Sequence, residues 1–143
     1  MSQNNSIELN LENFTSAGNL STDISQNIYQ RQTNPNFFKG LSFVLFYSRP
    51  CCKDYIEVFK NIQSQNKQFS VYLFETSKGT NSSIFSVLEH APYRIMGFPY
   101  IVTYYDGNFC SVYRPNDLPT PENLTQELVK YSNKIANYNS CKM

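Results

Sequence analysis

The stretch LSFVLFYSRPCCKDYIEVFKNI, residues 41–62, carries the strongest structural signal in this chain of 143 residues. Its first part, Leu41–Ser48, is a continuous apolar and aromatic run, which is typical of a strand buried on both faces of a sheet. Apolar side chains then occupy the spacing i, i+3, i+4, i+7: Tyr55, Val58, Phe59 and Ile62. This spacing predicts an amphipathic helix over Cys51–Asn66.

The chain downstream continues this alternation and then changes to an antiparallel pair. The sequence predicts strands at Phe69–Glu75 and Pro99–Tyr105, with a short helix at Asn81–His90 between them. A turn containing glycine and the run Phe109–Arg114 predict a hairpin. Thr120-Pro121-Glu122 is a favourable helix start, so a last helix should follow. This order predicts an α/β fold in which a mixed sheet has helices on both faces, with a C-terminal β-hairpin and helix.

The two ends of the chain differ from this central part. Residues 1–36 contain eight asparagines and few apolar side chains. Two interpretations are open: a partly ordered arm, or a first strand at Ser6–Leu11 followed by a weak helix at Ser21–Gln30. We expect the domain to span residues 37–138 and the tail, residues 139–143, to be flexible.

Composition and charge exclude several classes of function. The net charge is +1 and only 16% of the residues are charged, so the surplus of Lys and Arg that neutralises phosphates in nucleic-acid-binding proteins is absent. No apolar run reaches the length of a membrane span, and the N-terminus lacks the pattern of a signal peptide. We therefore expect no nucleic-acid or membrane partner and a cytoplasmic, reducing location. The four cysteines do not have zinc-ligand spacing, and nothing indicates a metal or another cofactor.

Two segments resemble the thioredoxin family. In FYSRPC, residues 46–51, an apolar strand ends in an aromatic-rich turn before a cysteine, and GFPYIVTYYDG, residues 97–107, is similar to the Gly-apolar-Pro strand of that family. The resemblance covers roughly residues 40–136 and implies a thioredoxin-like three-layer α/β/α fold. It implies that Cys51 is the nucleophile at the start of a helix, and that Pro99 is a cis-proline facing it.

In composition and in the pattern FYS-x-x-Cys, residues 46–51, the chain also resembles small thioredoxin-like proteins of large cytoplasmic DNA viruses. If the source is viral, this resemblance implies a protein that could be packaged in a virion.

The departures from the family pattern affect the redox chemistry. The C-x-x-C motif becomes CCKD, residues 51–54, so that Asp54 replaces the resolving thiol. The buried acid of the central strand, which handles the proton of that thiol, falls on Leu45. Pro50 replaces the aromatic residue before the first cysteine. The acidic Gly-Gly segment of glutaredoxin-type glutathione binding is absent.

Two functional hypotheses follow. In the first, Cys51 carries out weak or monothiol thiol–disulfide exchange with protein or peptide thiols and disulfides. An external thiol such as glutathione then releases the product. A helix N-terminus, Arg49 and Lys53 would favour the thiolate, and Asp54 would oppose it. In the second, the chain is a redox-inactive binding or structural module that uses the Cys51/Pro99 face for protein contact.

The other cysteines have competing interpretations. Cys52 could be a second thiol, but at helical spacing its side chain points about 100° away from that of Cys51. A disulfide between neighbours would also require the helix start to unwind, so we expect Cys52 to pack as a small apolar residue. Cys110 and Cys141 could form a disulfide at the far end of the sheet, although free thiols are favoured in a reducing cell.

Aromatic and proline side chains are expected around the Cys51 face. We predict that this face binds an extended peptide through four residues: Tyr47, Pro50, Phe98 and Tyr100. The competing interpretation is that these rings are ordinary core or surface residues.

Overall fold

A computed structural model describes residues 8–20, 39–65 and 68–138. These residues form four strands and three α-helices in chain order: β1 (Leu41–Tyr47), α1 (Lys53–Gln65), β2 (Ser70–Glu75), α2 (Ile84–Val87), β3 (Tyr100–Tyr105), β4 (Asn108–Tyr113) and α3 (Pro121–Tyr138). Short 3₁₀ helices lie at Leu11–Asn13 and Gly79–Ser83. No helix in these ranges is long and apolar enough to cross a membrane.

The strands form one mixed sheet in the order β2-β1-β3-β4. Strand β1 is parallel to β2 and antiparallel to β3, with Leu45 opposite Leu73 on one side and Ile101 on the other. Asp106 and Gly107 have φ values of 51° and 85°, the left-handed backbone that a two-residue hairpin between β3 and β4 requires. The predicted mixed sheet with a C-terminal hairpin and helix is confirmed.

The sheet separates two hydrophobic cores, because all seven residues of β1 are buried and alternate between its faces. Val44 and Phe46 face a core completed by α2 and the N-terminal segment. Phe43 and Leu45 face a second core, which α1 and α3 cover. This arrangement gives the predicted three layers.

The N-terminal segment 8–20 is part of the first core. Leu9, Phe14 and Leu20 are buried there. Glu8 forms a parallel bridge with Leu73, and the amide of Leu9 donates to the Leu73 carbonyl at 2.8 Å. Within residues 8–20, the strand predicted at 6–11 is therefore present as a single bridge. The predicted helix at 21–30 and the predicted flexible tail at 139–143 lie outside the described residues.

The helix predicted at Asn81–His90 is shorter than expected. The α-helical part is Ile84–Val87, preceded by the 3₁₀ helix Gly79–Ser83. The Asn81 side chain does not cap a longer helix, because its amide donates to the Glu75 carbonyl at 3.0 Å and its oxygen accepts from the Leu11 amide at 3.2 Å. Asn81 thus ties the end of β2 to the N-terminal segment.

A pair of buried tyrosines makes the stability of the fold decrease at alkaline pH. The hydroxyls of Tyr93 and Tyr104 lie 2.7 Å apart, and Tyr93 also donates to the Gly18 carbonyl at 3.2 Å. Burial raises the pKa of both hydroxyls above the usual value of about 10. The folded state therefore binds protons more tightly than the unfolded state, and this stabilisation is present below pH ~10 and is lost as the pH rises further.

We expect the free energy of unfolding to fall above pH ~10 by about 1.4 kcal/mol per pH unit for each such tyrosine. Tyr104→Phe should make this fall shallower, because it removes one of the two groups. Urea unfolding at several pH values between 9 and 11 measures the slope. Equal slopes in the two proteins would contradict the assignment.

Candidate functional site

The candidate site is built on the turn that follows β1. The Cys51 amide donates to the Ser48 carbonyl at 2.8 Å, which closes a four-residue turn. The Arg49–Pro50 peptide bond inside it is cis, the arrangement of a type VI turn. The turn therefore presents Cys51 at the end of the central strand.

Helix α1 begins two residues later than predicted. It starts at Lys53, and the Cys52 carbonyl accepts the first helical hydrogen bond, from the Ile56 amide at 3.0 Å. Cys52 has a φ of 80°, so it is the residue before the helix and is not part of its first turn. The expectation that Cys51 opens the helix is wrong, since the turn and the left-handed Cys52 occupy those positions.

Cys51 and Cys52 are joined by a disulfide bond. The expectation that Cys52 only packs as a small apolar residue is therefore wrong. Helical spacing would separate the two side chains, but both residues precede the helix, which begins at Lys53. The two side chains are half-buried and pack against the second core.

A groove of about 500 Å³ lies beside this disulfide. Cys51 lines it and Cys52 does not. Charged residues from β2, α1 and the turns contribute to its walls, among them Arg49, Lys60, Glu75 and Lys78. Of the two bonded cysteines, Cys51 is therefore the one that borders the groove.

Glu75 organises one wall of this groove. It is the last residue of β2 and is 7% exposed. Its Oε2 lies 2.9 Å from Arg49 Nε and accepts from Ser77 Oγ at 3.2 Å, while its Oε1 accepts from the Tyr47 hydroxyl at 3.5 Å. Glu75 was not among the residues predicted to form the site. The available signal was a carboxylate at the end of the strand FSVYLFE, beside the carboxyl end of β1.

Two further groups in the groove have shifted protonation equilibria. Burial raises the pKa of Glu8; Lys78 opposes this shift and Glu75 adds to it. Burial also raises the pKa of the Tyr47 hydroxyl, and the carboxylates of Glu8 and Glu75 raise it further. Tyr47 therefore remains a hydrogen-bond donor to Glu75 across the ordinary pH range.

The predicted peptide-binding residues differ in exposure. Tyr47 is 6% exposed and Tyr100 is 2% exposed, and they pack in opposite cores. Pro50 is exposed and Phe98 is half-buried, so these two offer more surface to a ligand. The Phe98–Pro99 peptide bond is cis. Peptide binding by the four residues, and the placement of Pro99 opposite Cys51, stay predictions.

Three other expectations concern the surroundings of the site. Leu45, where the resemblance to thioredoxins would place a buried acid, is fully buried in the second core. Among the residues described, no group of three or more His, Cys, Asp or Glu side chains could hold a metal ion. Cys110 is disulfide-bonded, so the expectation of a free thiol there is wrong, and Cys141 lies outside the described residues.

No family model and no curated protein matches this chain in sequence. Among solved structures, thioredoxin O2 from Arabidopsis thaliana in the oxidised state is 12% identical, with a TM-score of 0.50 over 90% of this chain and 97% of that one. The first two thioredoxin domains of Saccharomyces cerevisiae Eps1p are 18% identical, with a TM-score of 0.50 over 75% of this chain and 42% of that one. At these identities the likeness establishes the fold alone.

Proposed function

Since the chain has a thioredoxin-like fold, we propose that it carries out thiol–disulfide exchange, with Cys51 as the sulfur that reacts with substrate. The observation that carries this proposal is the Cys51–Cys52 disulfide at the end of the central strand, with Cys51 lining an open groove. The substrates are protein or peptide thiols and disulfides. When the pair reduces a substrate disulfide, an external thiol such as glutathione restores the reduced pair. When the pair oxidises a substrate dithiol, an external disulfide such as oxidised glutathione restores the Cys51–Cys52 bond.

The exchange proceeds through a mixed disulfide. A substrate thiolate attacks Cys51 Sγ, the bond between the two cysteine sulfurs breaks, and its electron pair passes to Cys52 Sγ, which takes a proton from water. A second substrate thiolate attacks the substrate sulfur of the mixed disulfide and releases Cys51. The substrate dithiol is then oxidised to a disulfide, and the cysteine pair is reduced to two thiols. In the opposite direction, an external dithiol first reduces the Cys51–Cys52 bond by these same steps. Cys51 of the reduced pair then attacks a substrate disulfide, and Cys52 attacks Cys51 Sγ of the mixed disulfide, which re-forms the Cys51–Cys52 bond and releases the substrate as two thiols.

The start of α1 supports Cys51 as the attacked sulfur. Cys52 is the residue before this helix of 13 residues, where the unpaired amides and the helix dipole favour a negative charge. A thiolate on Cys52 is consequently the better leaving group, and exchange is faster when the leaving thiolate is stabilised. Attack on Cys51 is also the attack that the groove permits.

The proposed activity is weak. Leu45 is apolar and buried where the family has a proton-handling acid, so protons of the leaving thiol must pass to water. The same observation favours the second candidate function, a redox-inactive module whose Cys51/Pro99 face binds a partner protein. The two candidates differ in whether the disulfide exchanges with external thiols.

Variants that keep one cysteine of the Cys51–Cys52 pair test the proposal. After reduction, Cys52→Ser should form a lasting mixed disulfide with a glutathione-disulfide probe, because no neighbouring thiol can release it. Cys51→Ser should form about tenfold less at this site, since the thiol of Cys52 does not line the groove. Mass spectrometry of the peptide that contains residues 51 and 52 measures both and separates them from Cys110 and Cys141. In insulin reduction with dithiothreitol, Cys51→Ser should lose the activity. Cys52→Ser should keep most of it, because dithiothreitol releases the mixed disulfide in place of Cys52.

Other outcomes are equally informative. Equal loss of insulin reduction in both variants would mean that the two sulfurs act only as a pair. If the folded wild-type chain neither exchanges with glutathione nor reduces insulin, the redox proposal fails and the binding module is favoured.

A further inference from the structure

We propose that Glu75 is a positioning residue that controls the reactivity of Cys51 by holding the side chain of Arg49 in an ion pair. This inference takes its functional meaning from the proposed thiol–disulfide exchange. The effect of the Arg49 and Glu75 charges on the pKa of the Cys51 thiol can be measured whether or not the chain turns over a substrate.

The contacts fix Arg49 at two points. Its side chain is 80% exposed, yet Nε lies 2.9 Å from Glu75 Oε2. Its backbone amide donates to Ser77 Oγ at 3.2 Å, and that hydroxyl donates to the same Glu75 oxygen at 3.2 Å. Because the Tyr47 hydroxyl donates to the other oxygen, both oxygens of the buried carboxylate are occupied. The guanidinium is thereby directed toward β2.

The chain connectivity brings this ion pair to the disulfide. Arg49 is two residues before Cys51 in the same closed turn, and Arg49, Cys51 and Glu75 line one groove. A free guanidinium there would stabilise the Cys51 thiolate, and an adjacent carboxylate opposes that effect. Other charges also line the groove: Glu8, Lys53, Glu57, Lys60 and Lys78. These stay constant when only Arg49 and Glu75 are changed.

The inference predicts shifts of opposite sign for the two partners. In a Cys52→Ala background, reduced Glu75→Gln should lower the pKa of Cys51 by about one unit, a tenfold change in its acid dissociation constant. Arg49→Met should raise that pKa, because it leaves the carboxylate without its cation. The double variant should return close to the parent, and Arg49→Lys, which keeps the charge, should also stay close to it.

The pH dependence of iodoacetamide alkylation, followed by mass spectrometry of the peptide containing Cys51, measures each pKa. A loss of structure alone would shift the Cys51 pKa in the same direction in both single variants. Neither the double variant nor Arg49→Lys would then restore the parent pKa. That pattern would overturn the inference. If Glu75→Gln does not fold, Arg49→Met still tests the inference, because Arg49 is exposed. An unchanged Cys51 pKa in Arg49→Met rejects the inference. A chain that shows these shifts but no exchange would keep the inference and lose the proposed function.

Discussion

Phe43→Ala is expected to lower the free energy of unfolding by about 4 kcal/mol, because it removes a ring from the centre of the second core. Phe43 is on β1 and is fully buried. Its ring centroid lies 5.1 Å from that of Phe69 and 5.8 Å from that of Tyr131, so it joins the sheet to α3. The lost transfer free energy and the cavity left behind add together at such a position.

Urea denaturation followed by circular dichroism measures this effect. The matched control is Phe85→Ala, the same chemical change at a side chain that is 49% exposed. This control should alter the free energy of unfolding by less than about 1 kcal/mol. Similar losses in the two variants would mean that Phe43 does not occupy the core described.

Restoring the two-residue spacing between thiols should produce the largest gain in activity. We expect Asp54→Cys combined with Cys52→Ala to form an intramolecular disulfide and to reduce insulin about tenfold faster than Cys52→Ala alone. Asp54 is in the first turn of α1, three residues after Cys51, and removing its carboxylate also removes a charge that opposes the thiolate. Cys52→Ala prevents competition from the neighbouring thiol.

The rate of insulin reduction with dithiothreitol and the count of free thiols after mild oxidation measure this gain. Cys52→Ala with Asp54→Ser is the control, since it removes the carboxylate without adding a thiol. A folded Asp54→Cys variant that keeps both thiols reduced would contradict the placement of Cys51 just before α1. Adding Leu45→Asp should raise the rate further, although a carboxylate in that fully buried position would cost several kcal/mol of stability.

The parts of the fold with strong periodic patterns were predictable from the sequence. The apolar run that became β1 and the helical stripe of α1 were located within two residues of their ends. The predicted start of the last helix at Pro121 is confirmed, because Pro and Glu in a first turn act locally. The range predicted for the short helix was too long, because the Asn81 side chain bonds to distant backbone groups that no local pattern reveals.

The site was less predictable, for two physical reasons. The resemblance to thioredoxins placed Cys51 at the end of a strand, but the left-handed φ of Cys52 was not apparent from side-chain patterns. Because Cys52 has this backbone angle, both cysteines lie before the helix and not in its first turn. Glu75 was missed because its role arises from the parallel pairing of β1 and β2, which brings residues 28 positions apart in sequence to one edge of the sheet.

The separation of a single residue between the bonded cysteines has a consequence for chain entropy. The restriction that a disulfide places on the unfolded chain grows with the logarithm of the loop that it closes. Here the closed loop contains one peptide unit, so this bond restricts the unfolded ensemble less than a disulfide that closes a longer loop. In these entropic terms, breaking the Cys51–Cys52 bond shifts the balance between folded and unfolded chain less than breaking a long-range disulfide would.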